Sequence, residues 1–311
     1  MAANVETMFY VGREKPWHGL GVSVEEAQES REALVKAGLD WDVVQKPVYT
    51  QDGVKVNGYK ANVRLQDGNI LGVVTDRYKV VQNRDAFAFT DELLGAGVRY
   101  ETAGSLMDGK KIWLLAKLPA RYIIQGEDII PYLVFSNTHD GSGAIKIAMT
   151  PIRVVCNNTL NLALKNAPRI WSFNHTGDIA SKLNEAKETL FMAENYMGEL
   201  GKAFEKLSKI KLSDAAVNEY IELLLPIEDD ASITSEKNIL KLREDIKKRY
   251  FHAPDLKVLG KNGYRFINAV SDFATHAKPL RETKNYRENL FNRTMEGNSV
   301  TDKAMRLLMT A

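Results

Sequence analysis

Hydrophobic residues recur along this chain with two different periods, and the change from one to the other falls near its middle. In the first half the period is two. Ile112, Leu114, Ala116 and Leu118 alternate with Lys111, Trp113, Leu115 and Lys117, and Ile145, Ile147 and Met149 alternate with Lys146, Ala148 and Thr150. That pattern predicts strands with one face in a core and a second face that is mixed and cationic. Strands are expected over 54–64, 70–75, 110–118, 132–136 and 144–155. Four Asp-Gly dipeptides, at Asp52, Asp67, Asp108 and Asp140, precede residue 150. They read as hairpin turns, because the pair tolerates the positive φ angles whose twist matches the flanking strands. Between the strands, 85–94 reads as a helix that buries Phe87 and Leu94, with Asn83 as its N-cap.

From Asp178 onward the spacing alternates between four and three. Ile179, Leu183, Ala186, Leu190, Ala193, Met197, Leu200, Phe204 and Leu207 form the seam of one long, heptad-patterned helix, a surface suited to self-association. Gly198 and Gly201 weaken its far end by about 1 kcal/mol each relative to alanine, which predicts a bend or break there. Further helices are expected over 213–225, stopped by Pro226, and over 235–251, 264–277 and 299–309. The fold class is therefore α+β. A β-rich domain with a largely antiparallel sheet and a few helices spans 1–176, and a helical region packing on it or extending from it spans 177–311.

Composition changes this picture little. With 44% hydrophobic and 26% charged residues the chain has ordinary globular content. One cysteine, Cys156, allows no intrachain disulfide, so a reducing cytoplasm is the expected location. Residues 1–21 lack the basic and apolar regions of a signal peptide, and no stretch approaches the roughly 18 apolar residues of a membrane span. The net charge of +2 means that any polyanion site must come from local clustering.

Several segments together resemble a widespread family of phage-, prophage- and conjugative-plasmid-encoded proteins of unknown function, nearly end to end. The resemblance rests on Trp17-His18-Gly19-Leu20-Gly21, on Ala37-Gly38-Leu39-Asp40-Trp41, and on Leu71-Gly72-Val73-Val74-Thr75-Asp76-Arg77-Tyr78 continuing to Val81-Gln82-Asn83. It continues through Glu101-Thr102-Ala103-Gly104-Ser105-Leu106, His139-Asp140-Gly141-Ser142 and the run Thr150-Pro151-Ile152-Arg153-Val154-Val155-Cys156-Asn157-Asn158-Thr159-Leu160, with a weaker echo at Asn268-Ala269-Val270 and His276. It implies a mobile-element context, and it brings no catalytic residues with it.

The residues themselves offer little catalytic chemistry. No phosphate-binding glycine loop is present, and the five histidines, His18, His139, His175, His252 and His276, show no H-x-x-x-H pairing, so neither a cofactor nor a metal is expected. Asp140, Asp255 and Glu228 to Asp230 read as solvated turn acids. Cys156, before an expected helix start at Asn158-Thr159-Leu160, suits a thiolate nucleophile with His139 or His175 as base, and it equally suits a buried strand end. Asn157 and Asn158 at the same junction serve as helix caps or as ligands for phosphate and base edges. Arg153, between Ile152 and Val154, must face solvent, pair with an acid such as Asp140, or hold a ligand.

The strongest electrostatic feature lies between Lys241 and Arg293, where thirteen basic residues stand against six acids. Tyr250, Phe251, Tyr264, Phe266, Phe273, Tyr286 and Phe291 are interleaved with them, and bases that neutralise phosphates beside rings that stack on bases are what single-strand binding requires. The expectation is a non-enzymatic protein that binds single-stranded DNA as an annealing or protective factor in recombination or plasmid establishment. Its contact residues are expected to be Arg77, Lys79, Lys110, Lys111, Lys117, Lys146, Arg153, Asn157, Lys247, Lys248, Arg249 and Arg265, with self-association through the 179–207 helix. Two alternatives stay open, an interaction protein such as an inhibitor of a host defence system and an enzyme centred on Cys156.

Overall fold

The computed structural model describes residues 5–11, 22–24, 30–94, 99–118, 122–153, 158–159, 162, 164, 169–179, 181–182, 189–280 and 297–310. Strands β1 (Val5–Val11) and β2 (Val22–Val24) precede helix α1 (Ser30–Lys36), and β3 (Val43–Tyr49), β4 (Lys55–Arg64) and β5 (Ile70–Thr75) then form a separate three-stranded sheet. Helix α2 (Asn83–Leu94) leads into β6 (Arg99–Leu106), β7 (Lys111–Lys117), β8 (Tyr122–Ile124), β9 (Glu127–Thr138), β10 (Ile145–Arg153), β11 (Asn158–Thr159) and β12 (Ile170–Phe173). These strands join β1 and β2 in a large sheet of order β11-β10-β9-β7-β6-β1-β2, with β8 beside β9 and β12 beside β10. Among the described strands only β1 and β2 pair in parallel; the other pairings are antiparallel.

Each Asp-Gly dipeptide sits between two adjacent antiparallel strands, and the four glycines have φ of +79°, +74°, +85° and +78°. The alternation in β7 is realised as expected. Ile112, Leu114 and Ala116 join Leu133, Phe135, Ile145 and Ile147 in a core closed by residues of α1 and α2, including Ala33, Ala86 and Phe87. The opposite face carries Lys111 and Lys117, yet its centre is apolar and closed, with Trp113, Val134 and Ala148 packed together and Trp113 only 4% exposed. One expectation fails at the strand after β10: Asn158 and Thr159 do not start a helix but pair with Arg153 and Ile152 as β11. Sheet pairing satisfies the same backbone groups that a cap would, and the open edge of β10 was invisible in the local sequence.

The helical half contains α3 (Thr189–Lys209), α4 (Asp214–Leu224), α5 (Ile233–His252), α6 (Pro254–Lys257), α7 (Gly263–His276) and α8 (Ser299–Thr310). Ser213, Ser232 and Asn262 cap α4, α5 and α7 by accepting hydrogen bonds from Ala216, Ser235 and Arg265 amides. Helix α7 occupies the centre and is buried from Gly263 to Ser271, polar Arg265, Asn268 and Ser271 included. A side chain at Gly263 would meet the Leu207 carbonyl at 3.0 Å, so glycine lets α7 start against the end of α3.

Helix α3 runs unbroken through Gly198 and Gly201, so no break occurs there. Met197, Leu200, Phe204 and Leu207, the described end of the heptad seam, are fully buried in the same core as α7, with Phe204 against Tyr264 at 4.8 Å between ring centroids. This end of the seam therefore packs within the chain and is not a free surface for a second copy. Leu118, Ile124, Ile129 and Met149 of the large sheet belong to this core too.

Candidate functional site

A buried polar junction holds the small sheet and α2 against one end of the large sheet. Asn62, Asn83, Asn137 and His139 are all essentially inaccessible, with His175 and Tyr78 nearly so. A buried polar group must be hydrogen-bonded or costs about 1–3 kcal/mol, so the partners define the architecture. The Asn62 amide donates to the His139 carbonyl at 2.6 Å and accepts from Gln45 at 3.1 Å. Gln82 mimics a strand partner, bonding both the N–H and the carbonyl of Val43 at 2.9 Å. Asn83 opens α2 as its first helical residue rather than its N-cap, and its amide nitrogen donates to the Leu39 and Trp41 carbonyls.

The two histidines of the junction are fixed in orientation. His139 Nε2 lies 2.9 Å from Asn83 Oδ1, and since the Asn83 nitrogen is already donating, the imidazole must be the donor. His175 Nδ1 lies 3.0 Å from the Lys79 carbonyl, which can only accept, while the Lys79 N–H donates to the His175 carbonyl at 2.7 Å. Burial drives the His139 imidazole down to about 3, with neighbouring His175 acting in the same sense. Burial lowers His175 also, against the opposing pull of its bond to Lys79. Both rings are therefore neutral at physiological pH, with one lone pair each pointing away from its anchoring bond. Among the described residues neither His139 Nδ1 nor His175 Nε2 has a hydrogen-bond partner, and Asn137 Oδ1 has none either.

Glycines bring the two sheets this close. A Cβ on Gly72 would stand 2.5 Å from Asp140 Cα, and one on Gly141, whose φ is +78°, would stand 2.9 Å from Val74 Cγ1. Three segments that carry the family resemblance, 71–78, 81–83 and 139–142, thus interlock in space, and Trp41 of a fourth lies edge-on to His139 with 5.4 Å between centroids. Residues 70–295 match the family model described as Domain of unknown function (DUF932), more than half of the chain. The chain belongs to the DUF932 family. No curated protein and no solved structure matches it. The DUF932 match begins at Ile70, the first residue of β5, and includes Asn83, Asn137, His139 and His175, while Trp41, Gln45 and Asn62 contribute from outside it.

The residues expected to bind nucleic acid are dispersed over this DUF932 fold. In the helical half, Arg249 is held between Asp245 at 3.0 Å and Asp272 at 2.6 Å. Arg265 is buried, donates to the Tyr250 carbonyl and lies over the Tyr250 ring at 4.6 Å. Tyr250, Tyr264, Phe266 and Phe273 are core residues, and Tyr286 and Phe291 lie outside the described residues. The four core rings thus serve internal packing, Tyr264 against Phe204 of α3 and Phe266 against Tyr220 of α4. Lys247 is half-buried and Lys248 exposed.

On the large sheet, Lys111, Lys117 and Lys146 share the face of Trp113. Lys111 and Lys146 are half-buried and engaged in further interactions, whereas Lys117 is exposed near Glu101. Lys110 is half-buried in the β6–β7 turn and its carbonyl accepts from the His139 N–H. Arg77 and Lys79 are exposed just after β5. The side chain of Arg153 and the whole of Asn157 and Cys156 lie outside the described residues. Among the described residues no group of three His, Cys, Asp or Glu side chains could hold a metal ion, and no helix is long and apolar enough to cross a membrane.

The surface that combines base and ring is one the sequence reading passed over, the outer face of the small sheet. Lys46 pairs with Ala61 and Ala61 with Val73, while Tyr59 pairs with Thr75, so these five side chains share one face. Tyr59 is 48% exposed, Val73 54% and Ile70 60%. At the hairpin end Tyr49 pairs with Lys55, both exposed. The three strands contain Lys46, Lys55, Lys60 and Arg64 and no acid. Arg64 is paired with Asp67, whereas among the described residues the three lysines make no ion pair. Neither tyrosines at strand positions nor scattered lysines stand out along the chain, and only the register places them together.

Proposed function

We propose that this DUF932 protein is a single-stranded-nucleic-acid-binding protein of a mobile element, and that the outer face of its small sheet makes the contact. The observation that carries the reading is the exposure, on one acid-free sheet, of Lys46, Lys55, Tyr49 and Tyr59, with Arg77 and Lys79 just beyond its edge. Lysines neutralise phosphates, and exposed tyrosines offer faces on which any base can stack, beside exposed Val73. The resemblance to phage and plasmid proteins supports a role in recombination or plasmid establishment. This assignment moves the contact surface from the helical half, where the rings are core, to β3–β5.

The test is fluorescence anisotropy of a labelled oligonucleotide across a salt series. Wild type binds at low salt, and the affinity falls with a log–log slope of about −3, as expected when roughly four cations replace counterions on a single strand. Lys46→Glu with Lys55→Glu weakens binding at least tenfold, while Lys247→Glu with Lys248→Glu leaves it within a factor of about two. Absence of binding at low salt rejects the proposal. If the same face instead captures a host protein after nuclease treatment of a lysate, the interaction-factor reading replaces it.

A further inference from the structure

The polar junction contains three buried electron-pair donors, His139 Nδ1, His175 Nε2 and Asn137 Oδ1, that have no hydrogen-bond partner among the described residues. They converge. Asn137 and His139 are two residues apart at the end of β9 and so face the same side. The Asn137 amide donates to the Val81 carbonyl at 3.1 Å and the His175 ring to that of Lys79, two residues earlier on the same segment. The His175 ring also stacks on Tyr78 at 4.4 Å, and the Tyr78 hydroxyl donates to the carbonyl of Thr138, the residue between Asn137 and His139.

Two physical features narrow what fits. Each imidazole has its other N–H anchored on an oxygen, Asn83 Oδ1 or the Lys79 carbonyl, which is the arrangement that fixes tautomer and raises basicity in metal-binding histidines. A single water supplies only two donors for three acceptors and leaves one buried acceptor unmet, whereas a cation engages all three lone pairs at once. We propose that the junction is a mononuclear site for a first-row divalent cation of the zinc type, with His139 Nδ1, His175 Nε2 and Asn137 Oδ1 as ligands. Two nitrogens and one oxygen at a borderline-soft ion match the ligand preferences of zinc and leave a fourth position open. The ion would tie β9 to the segment after β12, both already hydrogen-bonded to the Lys79–Asn83 segment, at the point where the small sheet docks. This inference is independent of nucleic-acid binding.

The experiment uses the full chain, stripped with a chelator and dialysed, and titrated with ZnCl2 by calorimetry alongside a thermal-unfolding scan. One equivalent binds with a rise in Tm, and Co2+ in its place gives a visible ligand-field spectrum. His175→Ala, checked for fold by circular dichroism, abolishes both signals. Asn137→Asp keeps the shape and supplies a charged oxygen, so it tightens zinc binding at least tenfold, an arm that does not depend on losing a ligand. No bound equivalent in the stripped wild type overturns the proposal and leaves an ordered water in the junction. One equivalent that survives His175→Ala, or an affinity unmoved by Asn137→Asp, also overturns it by placing the ion elsewhere, on exposed His252 or His276 for example.

Discussion

Replacing Gly72 with alanine should undock the small sheet. The added methyl would lie 2.5 Å from Asp140 Cα, 2.8 Å from its carbonyl oxygen and 2.9 Å from its Cβ. Ordinary carbon contacts need about 3.5–4.0 Å, so β5 must retreat by about 1 Å from a backbone that cannot rotate aside. Overpacking of this kind costs about 1–3 kcal/mol. The same retreat draws away Asn62, which lies directly opposite Gly72, from its 2.6 Å bond to the His139 carbonyl, exposing a buried amide to a further penalty of about 1–3 kcal/mol. The expected loss is about 2–6 kcal/mol, measured by urea denaturation. Hydrogen exchange should speed up selectively at β3–β5, with α7 protected as in wild type. Gly198→Ala is the control, since nothing lies within 4 Å of the new methyl. A Gly72→Ala protein within about 0.5 kcal/mol of wild type, with unchanged exchange in β3–β5, would refute the interlock.

Other consequences are simpler to check. Gly198→Ala should itself stabilise by up to about 1 kcal/mol in a thermal or urea melt, because helix α3 is continuous there and alanine restricts the unfolded chain. Phe204→Ala should cost about 3–5 kcal/mol in the same melt without changing the subunit number seen by light scattering, since the ring is buried inside the chain against Tyr264. Glu101→Gln should stabilise at neutral pH: burial raises its carboxyl above the usual range, only partly opposed by Lys117. The unfolded chain ionises first, so the wild type loses stability as pH rises from the ordinary carboxylate range through the raised value. The advantage of the glutamine variant should therefore shrink toward pH 4, and an advantage independent of pH would count against burial as its cause. Arg265→Met should destabilise by about 1–3 kcal/mol without affecting oligonucleotide affinity, because the guanidinium serves the Tyr250 carbonyl and not the surface.

Local chemistry in the sequence determined most of the elements. Four Asp-Gly pairs marked four hairpins, the alternation around Trp113 marked a central strand, Ser213 and Pro226 marked α4 within one residue at each end, and the spacing of Leu200, Phe204 and Leu207 marked the end of α3 but not its start at Thr189. Strands with no local signature escaped. Strand β3 carries Pro47, tolerable because β3 is an edge, and β6 is interrupted by Ala103, Gly104 and Ser105. Periodicity also could not say which way a face turns: the rings of 250–273 belong to a core because α7 is surrounded on all sides, and the same spacing would suit a groove. The junction depended on pairs far apart in the chain, Asn62 with His139 across 77 residues, Asn83 with His139 across 56, and His175 with Lys79 across 96. Turn chemistry and hydrophobic period are properties of a few neighbouring residues, so they are written in the sequence itself. Which polar atoms are stranded together, and which lysines and tyrosines share a face, is settled only when register and docking bring distant segments within hydrogen-bond reach.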